Sequence, residues 1–520
     1  MAAKANVAPG NASETRMDEG SGAPGSRISD DPPPLGRRLR AAFGFGAVAN
    51  GVKNASLASY VTFYFNQVVG VDASVIGIAY AATLIVDAVA DPLLGRWTDM
   101  ARSRWGRRHP FMYFAALPTA LFFYLLWFPP AGLSDFATGL WVFTLAGLAR
   151  VSISAFEIAS SAMAVELSDD YNQRTRLFSL RYLFGYIGAY GFSAVALSVI
   201  FKMTPEYPLG QLNPDSYSGF ALCGALLIAI AILVCALGTH SRIPYLPQAE
   251  PQQERMRLGA HAREMATAFR NRGFLAIFGF GVCKYTATGA YSVMALYFAT
   301  YLFKLTSAQM AILVLDSLVA AMLAAPLAPY FSNRIGKRAS SMLFALGGVA
   351  VSLVPLLLIY FDLFFEPGDK RQIAALFVIG AVYGTMVTIS LINTTAMLAD
   401  VVEDSAVETG QRSAGVFFAA SSFMQQCSTA LGSLVASQIL VGSGFPKKVD
   451  PDRVTEAMTD GLLLNYMPVS FGLWACGCVL LLFYPITRQR HEANVEQLRA
   501  LRVAARAKEA GGAVVAAPPA

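Results

Sequence analysis

The positions with the most chemistry stand in the stretch IVDAVADPLLGRWTD, where Asp87 and Asp91 interrupt an apolar run. A spacing of four puts both on one helix face. Each carboxylate at the centre of a membrane helix costs about 2.5–3.5 kcal/mol on insertion scales, and ionisable residues in such places mark ion or proton pathways. Two carboxylates in a small site can hold a desolvated cation such as sodium through oxygen ligands. Alternatively, mutual repulsion leaves one of them carrying a proton. The competing reading is that Asp91 only satisfies backbone groups freed by Pro92.

A second constellation lies further on. Arg150, Ser154 and Glu157 fall at about 0°, 40° and −20° around a helix, on one stripe. Glu157 is thus expected in a cavity, accepting hydrogen bonds from solute hydroxyls, while Arg150 pairs with it or with Asp87. Arg181 can clamp hydroxyl pairs or a carboxylate and hold Glu157 ionised; the alternative is an arginine that snorkels to the headgroups. Lys53 and Lys284 are also embedded in apolar runs, with structural and solute-binding roles both open. Asp316 begins another such run and carries the weakest signal. Asp99 and the basic run Arg102, Arg104, Arg107 and Arg108 are expected to form an ion-pair latch that holds one access state; the alternative is a topology signal alone.

These groups need elements that cross a bilayer. Of 520 residues, 55% are hydrophobic and only 14% charged, against about 25% charged in soluble domains. Long continuous apolar runs select helices over an alternating barrel. About 20 apolar residues span the hydrocarbon core, which places spans near 42–67, 74–97, 111–130, 137–165, 179–201, 218–239, 273–302, 308–331, 339–360, 372–399, 413–441 and 464–486. One set of connecting segments, including loops near 96–108, 168–176, 240–272, 332–338 and 400–412, holds 29 of the 40 Lys and Arg, and the other set holds 7. That bias predicts both termini in the cytoplasm. Arg37-Arg38 before an apolar run has the look of a twin-arginine signal, but basic anchoring of a first helix is the reading adopted. The six cysteines lie in apolar runs without metal spacing to the four histidines and are read as small apolar residues.

The chain divides into a disordered tail at 1–36, a six-helix unit at 37–240, a polar basic linker at 241–272, a second six-helix unit at 273–487 and a tail at 488–520. The units resemble each other. Phe43-Gly44-Phe45-Gly46 recurs as Phe278-Gly279-Phe280-Gly281, Tyr64-Phe65 as Tyr297-Phe298, and Gly106-Arg107-Arg108 as Gly336-Lys337-Arg338. Asp91-Pro92-Leu93 is matched by Ala325-Pro326-Leu327, without the acid. Parallel six-helix repeats characterise the major facilitator architecture, an all-α membrane fold of two bundles with the solute site between them.

Three segments carry a more specific resemblance: DAVADPLLGRWTDMARSRWGRRHP, AVELSDDYNQRTRLFSLR and LADVVEDSAVETGQRSAG. They are similar to the glycoside–pentoside–hexuronide:cation symporter family, the group that includes melibiose permease, over about residues 40–490. The resemblance implies that Asp87 and Asp91 are the cation-binding carboxylates and that Ser154 helps hold the cation. It implies sugar-binding roles for Glu157, one methylene longer than the family's aspartate, and for Arg181. Three positions depart: Gly51 stands where the family has an acid, Gln426 where it has a lysine, and Ser161 where it has a stacking aromatic.

The expected function is secondary transport, with sodium or a proton driving symport of a sugar, glycoside or uronide across the inner membrane, and with Gln426, Lys284, Lys53 and Arg150 completing the solute site. The rivals are transport of a lysolipid or other amphiphile on the same scaffold, and a sensor that no longer transports. No nucleophile elbow, metal-site or nucleotide-loop motif points to an enzyme, and no cofactor or nucleic-acid partner is expected.

Overall fold

The computed structural model of the chain describes residues 35–168, 170–246, 268–409, 414–487, 489–494 and 496–497. The expected terminal tails and the linker fall largely outside them. Among the described residues, twelve helical rods follow one another. α1 spans 37–69, built from Arg37–Phe45, Ala47–Ser59, Val61–Phe63 and a π turn at Tyr64–Val69. Next come α2 (Ala73–Met100), α3 (His109–Leu126), α4 (Asp135–Glu166), α5 (Tyr171–Tyr186, continued to 200 through two π turns) and α6 (Ser216–Thr239). The second half holds α7 (Arg272–Tyr297 plus a π turn to Leu302) and α8 (Ser307–Leu313 and Asp316–Ile335). It continues with α9 (Lys337–Tyr360), α10 (Lys370–Thr409), α11 (Ala414–Gly442) and α12 (Glu456–Leu481). The helices begin where the chain offers caps. Asp72 accepts from the Ser74 amide at 2.8 Å, Asn271 from the Phe274 amide at 3.0 Å, and Thr306 closes a capping box with Gln309.

Two rods outrun the spans expected for them. α10 continues to Thr409 and α5 starts at Tyr171, where charged stretches read as loops. The α10 extension is held by ion pairs as well as by burial of Val401, Val402 and Ala406. Lys337 bonds both oxygens of Asp400 at 2.7 Å, and Arg490 forks onto Asp404 at 2.7 and 2.8 Å.

Close crossings use small residues, as membrane helices need without a hydrophobic drive between them. α1 crosses α5 where Gly51 faces the Gly185 carbonyl and Gly188 faces Val48. α7 crosses α11 in the same manner, with Gly432 against Thr286 and Ala290 and Gly289 against Thr429. Between the halves, α2 runs along α11, and Gly77 makes room for Ser437.

The end away from the basic loops is sealed between halves. The Tyr297 hydroxyl donates to Asn66 Oδ1 at 2.9 Å, and Tyr301 to Gln67 Oε1 at 2.8 Å. Gln67 Nε2 donates to the Pro446 carbonyl at 3.1 Å, Ser307 donates to Gln211 Oε1 at 2.8 Å, and Lys447 pairs with Asp135 at 3.0 Å. At the basic end each half closes ion pairs on itself: Arg107 and Arg108 on Glu166 in the first, Lys337 on Asp400 in the second.

Candidate functional site

Asp87 is buried between α2 and α4. Its Oδ1 accepts from Ser154 Oγ at 2.8 Å, and its Oδ2 faces Arg150 Nη1 at 3.5 Å. Of the two partners open to Arg150, the fold selects Asp87. The other guanidinium nitrogen donates to the Tyr80 hydroxyl at 2.8 Å. Tyr80 was not singled out in the sequence, yet it stands seven residues before Asp87 and so shares its face.

Asp91 is half-buried one turn along. Its Oδ2 accepts from Gln426 Nε2 of α11 at 2.8 Å, a bond between residues 335 positions apart and between the two halves. Its Oδ1 is buried with no hydrogen-bond partner, as is Gln426 Oε1. Buried carboxylate and amide oxygens without donors form an acceptor-rich point, which suits a hard cation or a proton rather than an anion.

Glu157 Oε1 accepts from Arg181 Nη2 at 2.7 Å, and Glu157 Oε2 is left without a donor. Arg181 is buried, so it does not snorkel; it also donates to Ser160 at 2.8 Å and Ser161 at 3.0 Å. Ser161 thus supports the arginine from the position where an aromatic ring would stack. Lys53 is buried in α1 within the fields of Asp87, Glu157 and Asp91 and makes no hydrogen bond or ion pair with a described residue. Three acids (Asp87, Asp91, Glu157) therefore face three bases (Lys53, Arg150, Arg181), all from the first half. With every group ionised the set is neutral, so an arriving cation gives it a positive charge that a solute's oxygens can answer.

Lys284 does not join this set. It is buried in α7 with its ammonium 4.5 Å from the Tyr285 ring centre and 5.4 Å from that of Phe280. Asp316 is also apart, in α8, accepting from Ser317 at 2.9 Å.

At the basic end Asp99 meets Arg108 at 2.7 Å, but Asp99 is half-exposed. The buried hub is Glu166, which takes Arg107 at 2.7 Å and Arg108 at 2.8 Å. Sequence reading missed Glu166, although it stands in the AVELSDD segment. Arg102 and Arg104 are exposed, and Arg104 lies over the Trp105 ring at 5.1 Å. All the pairs found here lie within the first half.

The family model for MFS/sugar transport proteins matches residues 42–488. The chain belongs to that family. Among curated relatives of this MFS/sugar transport protein, the isoprimeverose transporter of Lactiplantibacillus pentosus is 23% identical over 85% of this chain and 88% of its own. The glucuronide carrier protein homolog of Escherichia coli is 25% identical over 89% and 96%. The nucleoside transporter NupG superposes with a TM-score of 0.61 at 15% identity, over 86% of this chain and 99% of NupG. The inward-open xylose transporter XylE from E. coli superposes at 0.58 and 12% identity, over 88% and 99%. At such identities the two structures establish the fold alone, that of a multi-pass major facilitator transporter. A transporter of this family is not an enzyme.

Proposed function

We propose that this transporter couples the inward movement of a sugar, glycoside or uronide to a cation, either sodium or a proton, held at Asp91 and Asp87. The observation that carries the reading is the Asp91 carboxylate. It has one oxygen free of donors and the other bonded across the interface to Gln426. A charge placed there changes a bond between the halves, which is what coupling requires. Ser154 supplies a hydroxyl oxygen and orients Asp87. The solute is received by Glu157 and Arg181, whose carboxylate and guanidinium suit vicinal hydroxyls or a uronate. Curated relatives named for isoprimeverose and glucuronide support this chemistry.

On the orientation expected from the Lys and Arg bias, both termini face the cytoplasm and the sealed end is outermost, so the arrangement described is inward-facing. Asp99, Arg107, Arg108 and Glu166 then govern closure at the cytoplasmic end, with Arg102 and Arg104 exposed beside them. The test is uptake into proteoliposomes of a panel of labelled pentosides, hexosides and uronides. Sodium and proton gradients are imposed separately. Accumulation above equilibrium with one gradient, abolished by its collapse, identifies solute class and ion together. Equal uptake with and without either gradient defeats coupling.

A further inference from the structure

A cavity of about 500 Å³ lies apart from the charged cluster, running from between α1 and α5 into the second half, where α7, α8 and α10 wall it. Asp87, Asp91, Arg150, Glu157, Arg181 and Gln426 do not line it. Asp316 does, at the point where α8 restarts after a break at 314–315. Backbone bonding continues through 314–315, with the Val314 amide on the Met310 carbonyl and the Leu315 amide on the Ile312 carbonyl, so the polarity facing the cavity is that of the Asp316 side chain.

The lining is aromatic and hydroxylated. Tyr291 and Tyr383 pack ring to ring with centroids 5.2 Å apart, and together with Tyr190 they lie within the field of the Asp316 carboxylate. Gly380 provides the space for that carboxylate, since a Cβ there would collide with Asp316 Oδ2. Among the described residues that line the cavity there is no Lys, Arg or His. Asp316 is thus a carboxylate whose bond is to the neutral Ser317 hydroxyl and whose cavity contains no positive charge. A neutral ligand would leave that charge uncompensated. A cation over tyrosine faces answers both features at once.

We propose that this cavity is a second binding site, selective for an organic ammonium ion with an apolar body. The ammonium sits against Asp316 among Tyr190, Tyr291 and Tyr383, and the body lies along the apolar remainder of the wall. The site is separate from the coupling carboxylates and does not depend on which solute they serve.

The test uses purified full-length protein and two probes, benzyltrimethylammonium and its uncharged counterpart benzyl alcohol. Binding is read by thermal melting and by titration calorimetry. Wild type is expected to be stabilised saturably by benzyltrimethylammonium and not by benzyl alcohol at the same concentration. Asp316→Asn should weaken binding roughly tenfold or more, the scale of one charge-assisted contact. Gly380→Ala, which keeps the carboxylate but crowds it, should also weaken binding and serves where Asp316→Asn fails to fold. Asp91→Asn should bind the probe as wild type does. The proposal is overturned if wild type shows no saturable preference for the cation. It is equally overturned if both α8–α10 variants bind undiminished, or if Asp91→Asn alone removes binding, which would place the probe at the coupling site.

Discussion

The α2–α4 interface and its repeat counterpart, α8–α10, occupy equivalent places in the two halves and are built from opposite materials. Between α2 and α4 stand Asp87, Ser154 and Arg150, locked by hydrogen bonds, with Tyr80 behind them. Around Pro326 the α8–α10 contact is apolar, with Ala324 and Ala328 packed on Ile389, Leu327 and Phe344 of α9; Asp316 lies further along α8, against Gly380. The proline is kept in both halves, as Pro92 and Pro326, but Asp91 becomes Ala325. The proline is thus common to both halves, while the acid before it stands only in the first. On the proposed function, the first half is the seat of the ion. The other supplies Gln426 as a neutral reporter across the interface, whose amide can donate to an ionised Asp91 or offer its oxygen to a protonated one.

The sharpest way to break this comparison is Asp91→Asn. The amide cannot titrate and offers a cation less charge, so gradient-driven accumulation in proteoliposomes should be lost. Counterflow of solute should survive, because Glu157 and Arg181 are separate. Accumulation at the wild-type level would remove Asp91 from coupling, and the asymmetry would lose its functional meaning.

The reciprocal change is Ala325→Asp. Ala325 is exposed, and a carboxylate placed there has no counterpart of the Gln426 amide that meets Asp91. It should disfavour membrane insertion by up to about 2.5–3.5 kcal/mol, read as a lower yield of inserted protein, and it should not rescue Asp91→Asn. Rescue would mean that either half can hold the ion.

Glu157→Gln keeps shape and removes charge. Solute affinity should fall by about 1.5–3 kcal/mol, the range for a hydrogen bond to a charged group, while the concentration of cation giving half-maximal uptake changes less. Unchanged solute affinity would reassign the Glu157–Arg181 pair to packing.

The smallest effects belong to the basic end. Asp99 is half-exposed, so Asp99→Asn should change gating by no more than about 1 kcal/mol. Glu166→Gln should exceed it, because two arginines converge there. The measurement is the labelling rate of a single cysteine placed in the vestibule at that end. A larger response to Asp99→Asn would make the exposed pair the latch and Glu166 its support.

Much of this molecule was legible before any coordinates. The spans follow from apolar run lengths, because lipid permits little but helices. Asp87 and Asp91 stand out because charge is expensive where they lie, and Arg150, Ser154 and Glu157 because helical periodicity puts them on one stripe. The ends of α5 and α10 fall beyond the expected spans because charged extensions read as loops; in α10 the ion-pair partners Lys337 and Arg490 lie in other parts of the chain. Glu166 escaped notice because a glutamate at a helix end carries no signal until Arg107 and Arg108 fold back onto it.

The sequence alone therefore determined the membrane class and the position of the paired acids Asp87 and Asp91 within an apolar run, both properties of composition and local periodicity. Tertiary structure decided the partners. Arg150 had two acids within reach along its own stripe and across the gap, and only the rotation and crossing of α4 against α2 chose Asp87. Gln426 had no local reason to meet Asp91. That bond exists because α2 and α11 run side by side, and a contact between residues 335 positions apart is set by the packing of whole helices rather than by any stretch of chain.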